Sequence, residues 1–340
     1  MANPAFTILF LAPSSRTDAI LASGLVRRLR DEIEDARFTV VAGPQTAPLF
    51  REIPGLEDLV VSERKSAAQS FALWRRLRGR RWGLALDAAG GRLVEYLGAS
   101  RRASARPSPD AEPVHKVVQA ARLLKLEDDP PAPFLFTSDE TRARAAELLG
   151  ARGPLLAMAP ASPWVGAAWP IERFARVAVQ LLGKGAALAD GRLVIVGDPD
   201  DWRLAETLRR SVPRDRWVDL SHEPDPLVTY ACLQRASLFI GGSEWLSHLA
   251  ASSGAPTLGL YGPTDDAVEG VWGPLARVVR GPRSFEAIHG IDPRLNQSVC
   301  HMMDLSADAV VEAASGLLAL SAPKAPPAPT SPARRKRRHA

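Results

Sequence analysis

Short apolar runs separated by amphipathic segments recur along almost the whole chain. In the first part the runs are TILFLA, RFTVVAG, LEDLVVS and WGLALDA, and in the second they are LLAMAP, LVIVGD, WVDLS, LFIGG and TLGLYG. Helical spacing of apolar residues lies between several of them, as in residues 18–30, 138–149 and 170–182. This alternation predicts an α/β fold with parallel, doubly wound sheets, which bind ligands at the carboxyl ends of their strands.

The pattern is interrupted once, by residues 101–133, which are rich in proline and charge around a helical stretch at about 114–125. It restarts beyond Gly153, and a last amphipathic segment follows at 304–320. At 340 residues the chain exceeds the length at which single cores usually divide. We therefore predict two Rossmann-like domains, residues 1–152 and 153–320, that face each other across a cleft, with a tail at 321–340.

Charge distinguishes this tail from the rest. The chain has 43 Lys and Arg against 38 Asp and Glu, but its last twenty residues contain six of the basic residues and no acid. The other 37 basic residues nearly balance the 38 acids, so the high pI describes the tail. Its proline-rich composition predicts disorder. A solubilising extension is one interpretation. Another is weak attraction to an anionic membrane, at about 1 kcal/mol per basic residue. No aromatic platform supports nucleic-acid binding.

The two cysteines, Cys232 and Cys300, stand in unrelated settings without metal-ligand spacing. We expect a reducing, cytoplasmic environment and neither a metal nor another cofactor. The N-terminal run AFTILFLAP lacks a basic segment before it, which favours a first strand over a signal peptide. No run approaches the ~18 apolar residues of a membrane span.

One glycine-rich turn stands out, in LFIGGSEWLSHLAASSGAPTLGLYGPTD at residues 238–265. Gly241 and Gly242 end a strand before a predicted helix at 244–253, with Gly254 as its C-terminal cap. Free backbone N–H groups at such a helix start favour an anion. Here Glu244 and Trp245 occupy that position.

This stretch, together with TILFLAPSSRTDAILASGLVRRL and APASPWVGAAWPIERFARVA, resembles the heptosyltransferase family of glycosyltransferases in order and spacing. The resemblance extends to about residue 320, and LSHLAA with YGPTD is its most specific part. It implies a GT-B fold, a nucleotide-diphosphate sugar such as ADP-heptose as donor, and a lipopolysaccharide-core or related glycolipid acceptor. The protein would then work at the inner face of the cytoplasmic membrane.

The resemblance also implies roles for individual residues. Asp18 falls where the family has its proposed catalytic base, although an aspartate at a helix start is also an ordinary cap. The donor-binding candidates in the two motifs are Ser243, Glu244, His248, Gly262, Pro263, Thr264 and Asp265. Two weaker candidates lie outside them. Trp164 would line the cleft or stack on the base, or belong to the core. Asp200 would bind ribose, or lie in a solvated turn.

The sequence departs from the family pattern at its phosphate site. Ser243 replaces an aspartate, Trp245 replaces a glycine, and Ala167 stands where a lysine is expected; Thr17 replaces the glycine before Asp18. A lost charge-assisted hydrogen bond of about 1.5–3 kcal/mol would weaken donor binding roughly 10- to 150-fold.

Another cation could take over the role of the missing lysine. Arg16 and Arg173 are the candidates. The alternative for each is that it is an ordinary surface charge with no role in donor binding.

These observations favour an inverting glycosyltransferase that transfers a heptose or similar sugar. The alternative is a GT-B scaffold that has lost donor binding and acts as an assembly partner. A dinucleotide-dependent dehydrogenase is disfavoured, because the first strand leads into APSSRTD and lacks G-x-G-x-x-G.

Overall fold

The computed structural model describes residues 5–63, 66–106, 112–150, 153–162, 164–295 and 299–321. Its strands are β1 (Phe6–Leu11), β2 (Ala36–Ala42), β3 (Leu56–Val61), β4 (Trp82–Asp87), β5 (Ala99–Ser104), β6 (Leu155–Ala159), β7 (Arg192–Ile195), β8 (Trp217–Asp219), β9 (Leu238–Gly242), β10 (Thr257–Tyr261) and β11 (Ala276–Arg280). Its α-helices are α1 (Arg16–Ala22), α2 (Gly24–Glu32), α3 (Ala67–Leu77), α4 (Lys116–Ala121), α5 (Asp139–Leu149), α6 (Ile171–Leu182), α7 (Trp202–Ser211), α8 (Pro226–Leu233), α9 (Trp245–Ser252), α10 (Asp266–Glu269), α11 (Phe285–Ile291) and α12 (Ala307–Ser321). Arg152, at the predicted domain boundary, and the predicted tail beyond Ser321 lie outside the described residues.

The strands form two separate parallel sheets. The first has the order β3-β2-β1-β4-β5, and the second has the order β11-β10-β9-β6-β7-β8. Every described pairing between neighbouring strands is parallel. The predicted α/β class with parallel sheets is therefore confirmed.

The central strands are apolar along their whole length because helices cover both faces of each sheet. In β1, residues 8–11 are completely buried, and every residue of β6, β9 and β10 is buried as well. The largest buried cluster extends across both halves of the chain, from Phe10 and Phe38 to Tyr230 and Phe239. Within the described ranges, no helix combines the length and the apolar character needed to cross a membrane.

The continuous helix expected at 18–30 is divided into α1 and α2 at Ser23. The Ser23 hydroxyl donates to the Ile20 carbonyl at 2.6 Å and accepts the Phe134 N–H at 2.9 Å. A Cβ at Gly24 would lie 2.3 Å from the Pro131 carbonyl oxygen, so only glycine allows that segment so close. The break is thus caused by a distant segment that local periodicity does not reveal.

The two halves meet through helices. In this contact α1 packs against α9, and α5 packs against α8, while α4 packs against α1 within the first half. Since α1 follows β1 and α9 follows β9, the carboxyl ends of strands from both sheets face the same junction. This is the cleft in which doubly wound proteins bind their ligands.

Candidate active site

Asp18 lies in the first turn of α1, at this junction. The helix cap is Ser15, whose hydroxyl accepts the Asp18 N–H at 3.1 Å and donates to Asp18 Oδ2 at 2.7 Å. The capping role expected as the alternative for Asp18 is therefore filled by its neighbour. The Asp18 side chain is 39% exposed and lines a cavity of about 240 Å³.

Lys116, at the start of α4, binds the other oxygen of this carboxylate. Its Nζ lies 2.7 Å from Asp18 Oδ1 and also forms an ion pair with Glu269, which comes from the second half of the chain. Burial alone would lower the pKa of Lys116, but the hydrogen bonds to Asp18 and Glu269 outweigh it and raise the pKa. Lys116 is therefore a permanent cation that joins the two halves.

The residue before Lys116 makes a second connection between the halves. His115 Nε2 is 2.9 Å from the Gly270 carbonyl oxygen, and the His115 ring lies 4.6 Å from the ring of Trp272. Burial lowers the pKa of His115. Its Nδ1 accepts the Val117 N–H at 3.2 Å, so Nε2 donates to the Gly270 carbonyl. The turn that presents Lys116 is thus fixed against the segment that presents Glu269.

The GPTD loop follows β10 and meets the glycine-rich turn after β9. The hydroxyl oxygens of Ser243 and Thr264 are 2.9 Å apart. A Cβ at Gly262 would lie 2.3 Å from Met302 Sδ, so any larger residue here would force the Met302 side chain to move. Pro263 is buried, and Asp265 caps α10 by accepting the Ala267 N–H at 3.0 Å.

Arg280, on β11, holds the shape of this loop. Its guanidinium donates to the carbonyl oxygens of Gly262 and Thr264, the latter at 2.8 Å, and pairs with Asp266. Because its donors are directed at the loop itself, Arg280 positions the loop and is engaged before any ligand arrives.

Glu244 and His248 lie at the start of α9. Burial, with a smaller contribution from the Glu269 carboxylate, raises the pKa of Glu244 to about 7. Burial also lowers the pKa of His248 to about 3, so His248 is neutral near pH 7. Its buried Nδ1 has no hydrogen-bond partner among the described residues. His248 is therefore an uncharged, buried side chain that lines neither the 240 Å³ cavity nor the cavity that Trp245 lines.

We expect Glu244→Gln to stabilise the protein at pH 8 by about 1–3 kcal/mol, and by much less at pH 5. The folded-state pKa of about 7 exceeds the ordinary value of 4.5, so wild-type stability falls as pH rises between them. The expected gain is smaller than the full conversion of 1.36 kcal/mol per pKa unit, because the Glu244 side chain is partly exposed and solvent screens it. Denaturant unfolding at both pH values measures it. The exposed Glu34→Gln is the control, and an equal gain at both pH values would contradict the prediction.

Arg16 and Trp245 face each other across the junction. The Arg16 guanidinium lies 4.5 Å from the centre of the Trp245 ring, and its Nη1 is 3.7 Å from Asp198 Oδ1. Both side chains line a cavity of about 370 Å³, together with Thr17 and Glu244. Trp245 therefore supports a cation at the entrance of the glycine-rich turn.

The remaining candidates from the sequence line neither the 240 Å³ cavity nor the 370 Å³ cavity. The Trp164 ring packs over Gly166, where an added Cβ would be 1.9 Å from it. Ala167 is buried, and Arg173 donates to the Leu305 carbonyl at 2.5 Å. Asp200 is exposed. Its neighbours Asp198 and Asp201 line the 370 Å³ cavity instead.

Sequence reasoning missed three residues of this site: Lys116, Glu269 and Arg280. Each acts through contacts with distant parts of the chain, and the only local signal was the predicted helix at 114–125. No group of three or more metal-binding side chains occurs among the residues that the structure describes.

Comparison with known proteins places this geometry in a family. Residues 81–289, more than half of the chain, match Glycosyltransferase family 9 (heptosyltransferase). No protein of curated function matches the chain in sequence.

Solved structures agree with that match. The glycosyl transferase family 9 protein from Veillonella parvula has a TM-score of 0.77 at 18% identity, with 94% of this chain and 99% of that chain covered. The ADP-heptose lps heptosyltransferase II of E. coli has a TM-score of 0.70 at 19% identity, with 93% and 99% covered. The E. coli heptosyltransferase WaaC with ADP has a TM-score of 0.67 at 18% identity, with 92% of this chain and 100% of that chain covered.

At these identities the structures show the fold, which is the predicted GT-B arrangement of two parallel sheets. The match over residues 81–289 shows the family as well. The chain belongs to glycosyltransferase family 9, the heptosyltransferase family of sugar-transferring enzymes.

Proposed function

We propose that this protein is an inverting glycosyltransferase that moves a heptose or similar sugar from a nucleotide-diphosphate donor to a hydroxyl of a lipopolysaccharide-core or related glycolipid acceptor. The observation that carries the proposal is Asp18, a partly exposed carboxylate at the junction of the two halves. Family membership supports sugar transfer as the general reaction. Residues 1–152 would bind the acceptor and residues 153–320 the donor.

In the proposed reaction Asp18 is the general base. The acceptor oxygen forms a bond to the anomeric carbon from the face opposite the diphosphate, and its proton passes to the Asp18 carboxylate. The bond between that carbon and the phosphate oxygen breaks, and its electron pair leaves on the diphosphate. A positioned base of this kind contributes typically 10²–10⁴-fold to the rate.

The contacts of Asp18 suit this role. Ser15 and Lys116 each bind one carboxylate oxygen, so the side chain is held in a single orientation. Positioning of this kind lowers the entropic part of the barrier. Lys116 is shared with Glu269, so its charge is not directed at Asp18 alone.

The donor diphosphate needs a positive environment, and we propose that Arg16 supplies it together with the start of α9. Lys116, Arg280 and Arg173 are each engaged by carboxylates or carbonyl groups. The ion pair of Arg16 is long, at 3.7 Å, and the Trp245 ring occupies a face of the guanidinium without using its N–H donors. Arg16 thus takes the place of the lysine absent at Ala167.

The neighbouring carboxylates modify this assignment. Asp198 and Asp201 line the same cavity as Arg16, where they would suit sugar hydroxyls better than phosphate. Glu244 is about half protonated at pH 7, which reduces its repulsion of a diphosphate. The structurally similar E. coli WaaC is described with ADP, and the other E. coli enzyme is an ADP-heptose heptosyltransferase, which supports an adenine nucleotide as the first donor to test.

A thermal-shift screen against ADP, UDP, GDP, CMP and their sugar conjugates tests donor binding. We expect one nucleotide to stabilise the protein by about 2.7 kcal/mol at 100 times its Kd. Thr264→Val should reduce the shift, since Thr264 lies in the GPTD loop against Ser243.

The control is Thr207→Val on the exposed surface of α7, which should leave the shift intact. If no nucleotide shifts the unfolding temperature, the donor assignment is wrong and the scaffold alternative gains support. Turnover with any sugar nucleotide would eliminate that alternative.

A further inference from the structure

The first half of the chain contains a larger cavity that the catalytic proposal does not use. Its volume is about 800 Å³, within the range of small-molecule sites. It lies between α3 and the loop and 3₁₀ turn that follow β4. Its apolar lining consists of Phe71, Leu73, Trp74, Leu93 and Tyr96.

The aromatic walls of this cavity are held in place by a specific contact. The Trp74 indole N–H donates to the Tyr96 carbonyl at 3.0 Å and so connects α3 to the 3₁₀ turn Leu93–Tyr96. The Phe71 and Trp74 rings lie 5.6 Å apart. Phe71 is nevertheless 60% exposed and Tyr96 is 66% exposed. Grouped apolar exposure of this kind usually marks a binding surface.

This cavity adjoins the one that contains Asp18. Ser14 and Ala89 line both cavities, one from the turn after β1 and the other from the turn after β4. A single ligand can therefore extend from the aromatic walls to the Asp18 carboxylate. The apolar part of that ligand must lie close to the hydroxyl that reacts.

The described lining contains charges of both signs beside its apolar side chains. Glu63 and Asp87 contribute two carboxylates to its lining, and Arg92 contributes one cation. A neutral hydrocarbon fits the aromatic and aliphatic lining and releases water from Phe71 and Tyr96.

We propose that this cavity binds an alkyl segment of the acceptor and directs the adjoining sugar hydroxyl to Asp18. The acceptor is then an amphiphile whose reactive sugar is attached close to its hydrocarbon chain. The role of Asp18 in this inference rests on the proposed function, whereas the alkyl site itself is measurable without any donor.

Calorimetric titration with hexyl, heptyl and octyl β-D-glucopyranoside, each below its micelle-forming concentration, tests the site. We expect affinity to rise up to about fourfold per added methylene, as for burial of a hydrocarbon chain, and free glucose to show no binding. Phe71→Ser and Tyr96→Ser should each weaken octyl glucoside binding about tenfold. Both residues are largely exposed, so neither change should prevent folding.

Ile291→Ser is the matched control, since Ile291 is 73% exposed but lies on α11 in the second half. It should leave octyl glucoside binding unchanged. Binding that does not depend on chain length would overturn the inference. So would binding that survives both aromatic substitutions, because it would show adventitious attachment elsewhere. If ADP binds while octyl glucoside does not, this inference fails and the proposed transfer reaction stands.

Discussion

Replacing Asp18 with asparagine is expected to lower kcat by about 10²–10⁴-fold, the usual contribution of a positioned general base. Asparagine preserves the size of the side chain but cannot accept the acceptor proton. The Kd for the nucleotide should change little, since Asp18 lines the 240 Å³ cavity and not the one that contains Trp245. Initial rates and nucleotide titrations on the same preparations separate the two effects.

The matched control for this change is Asp31→Asn. Asp31 is an exposed aspartate on α2 that pairs with Arg27 at 3.5 Å, away from the junction. Its substitution should leave both kcat and nucleotide affinity unchanged. Activity within tenfold of wild type in Asp18→Asn would show that the base is another residue.

The second large effect is expected for Arg16→Ala, which should weaken nucleotide-diphosphate binding about 10- to 150-fold. The expected loss is that of one charge-assisted hydrogen bond, about 1.5–3 kcal/mol. Titration with ADP, or with whichever nucleotide the thermal screen identifies, measures it. The loss should diminish at high salt, because screening weakens the attraction in the wild type.

Arg203→Ala provides a close control for the loss of an arginine from an indole ring. Arg203 lies 5.2 Å from the Trp202 ring centre on the exposed start of α7. This variant should bind the nucleotide as wild type does. Unchanged affinity in Arg16→Ala would instead mean that α9 and the GPTD loop bind the diphosphate without Arg16.

The parts of the fold that could be predicted from sequence are those with continuous apolar strands. β1, β6, β9 and β10 are buried on both faces, so hydrophobicity alone marks them. The edge strand β5 (ASRRAS) was missed because its exposed arginines resemble a loop. In the second sheet the edge strand β11 (ARVVR) was also missed, because it is short and contains two arginines.

The residues of the candidate site were also predicted only in part. The two motifs marked Ser243 and Thr264 as donor-binding candidates, and the structure brings their hydroxyl oxygens to 2.9 Å, because parallel strands bring their carboxyl ends to one edge of the sheet. No pattern predicted the bridge from Lys116 to Asp18, which joins residues 98 positions apart. The sequence also did not predict that Trp245 supports Arg16, because only the folded chain shows the Arg16 guanidinium over the Trp245 ring.

The position of Arg16 has a consequence for the catalytic cycle. Arg16 belongs to the first half of the chain, whereas Trp245 and the start of α9 belong to the second. A diphosphate bound by both would add a non-covalent link between the halves, so its release would require Arg16 and the start of α9 to let go together. Arg16 and Asp18 also share one helical turn. Any shift of this turn on nucleotide binding therefore moves Asp18 together with Arg16.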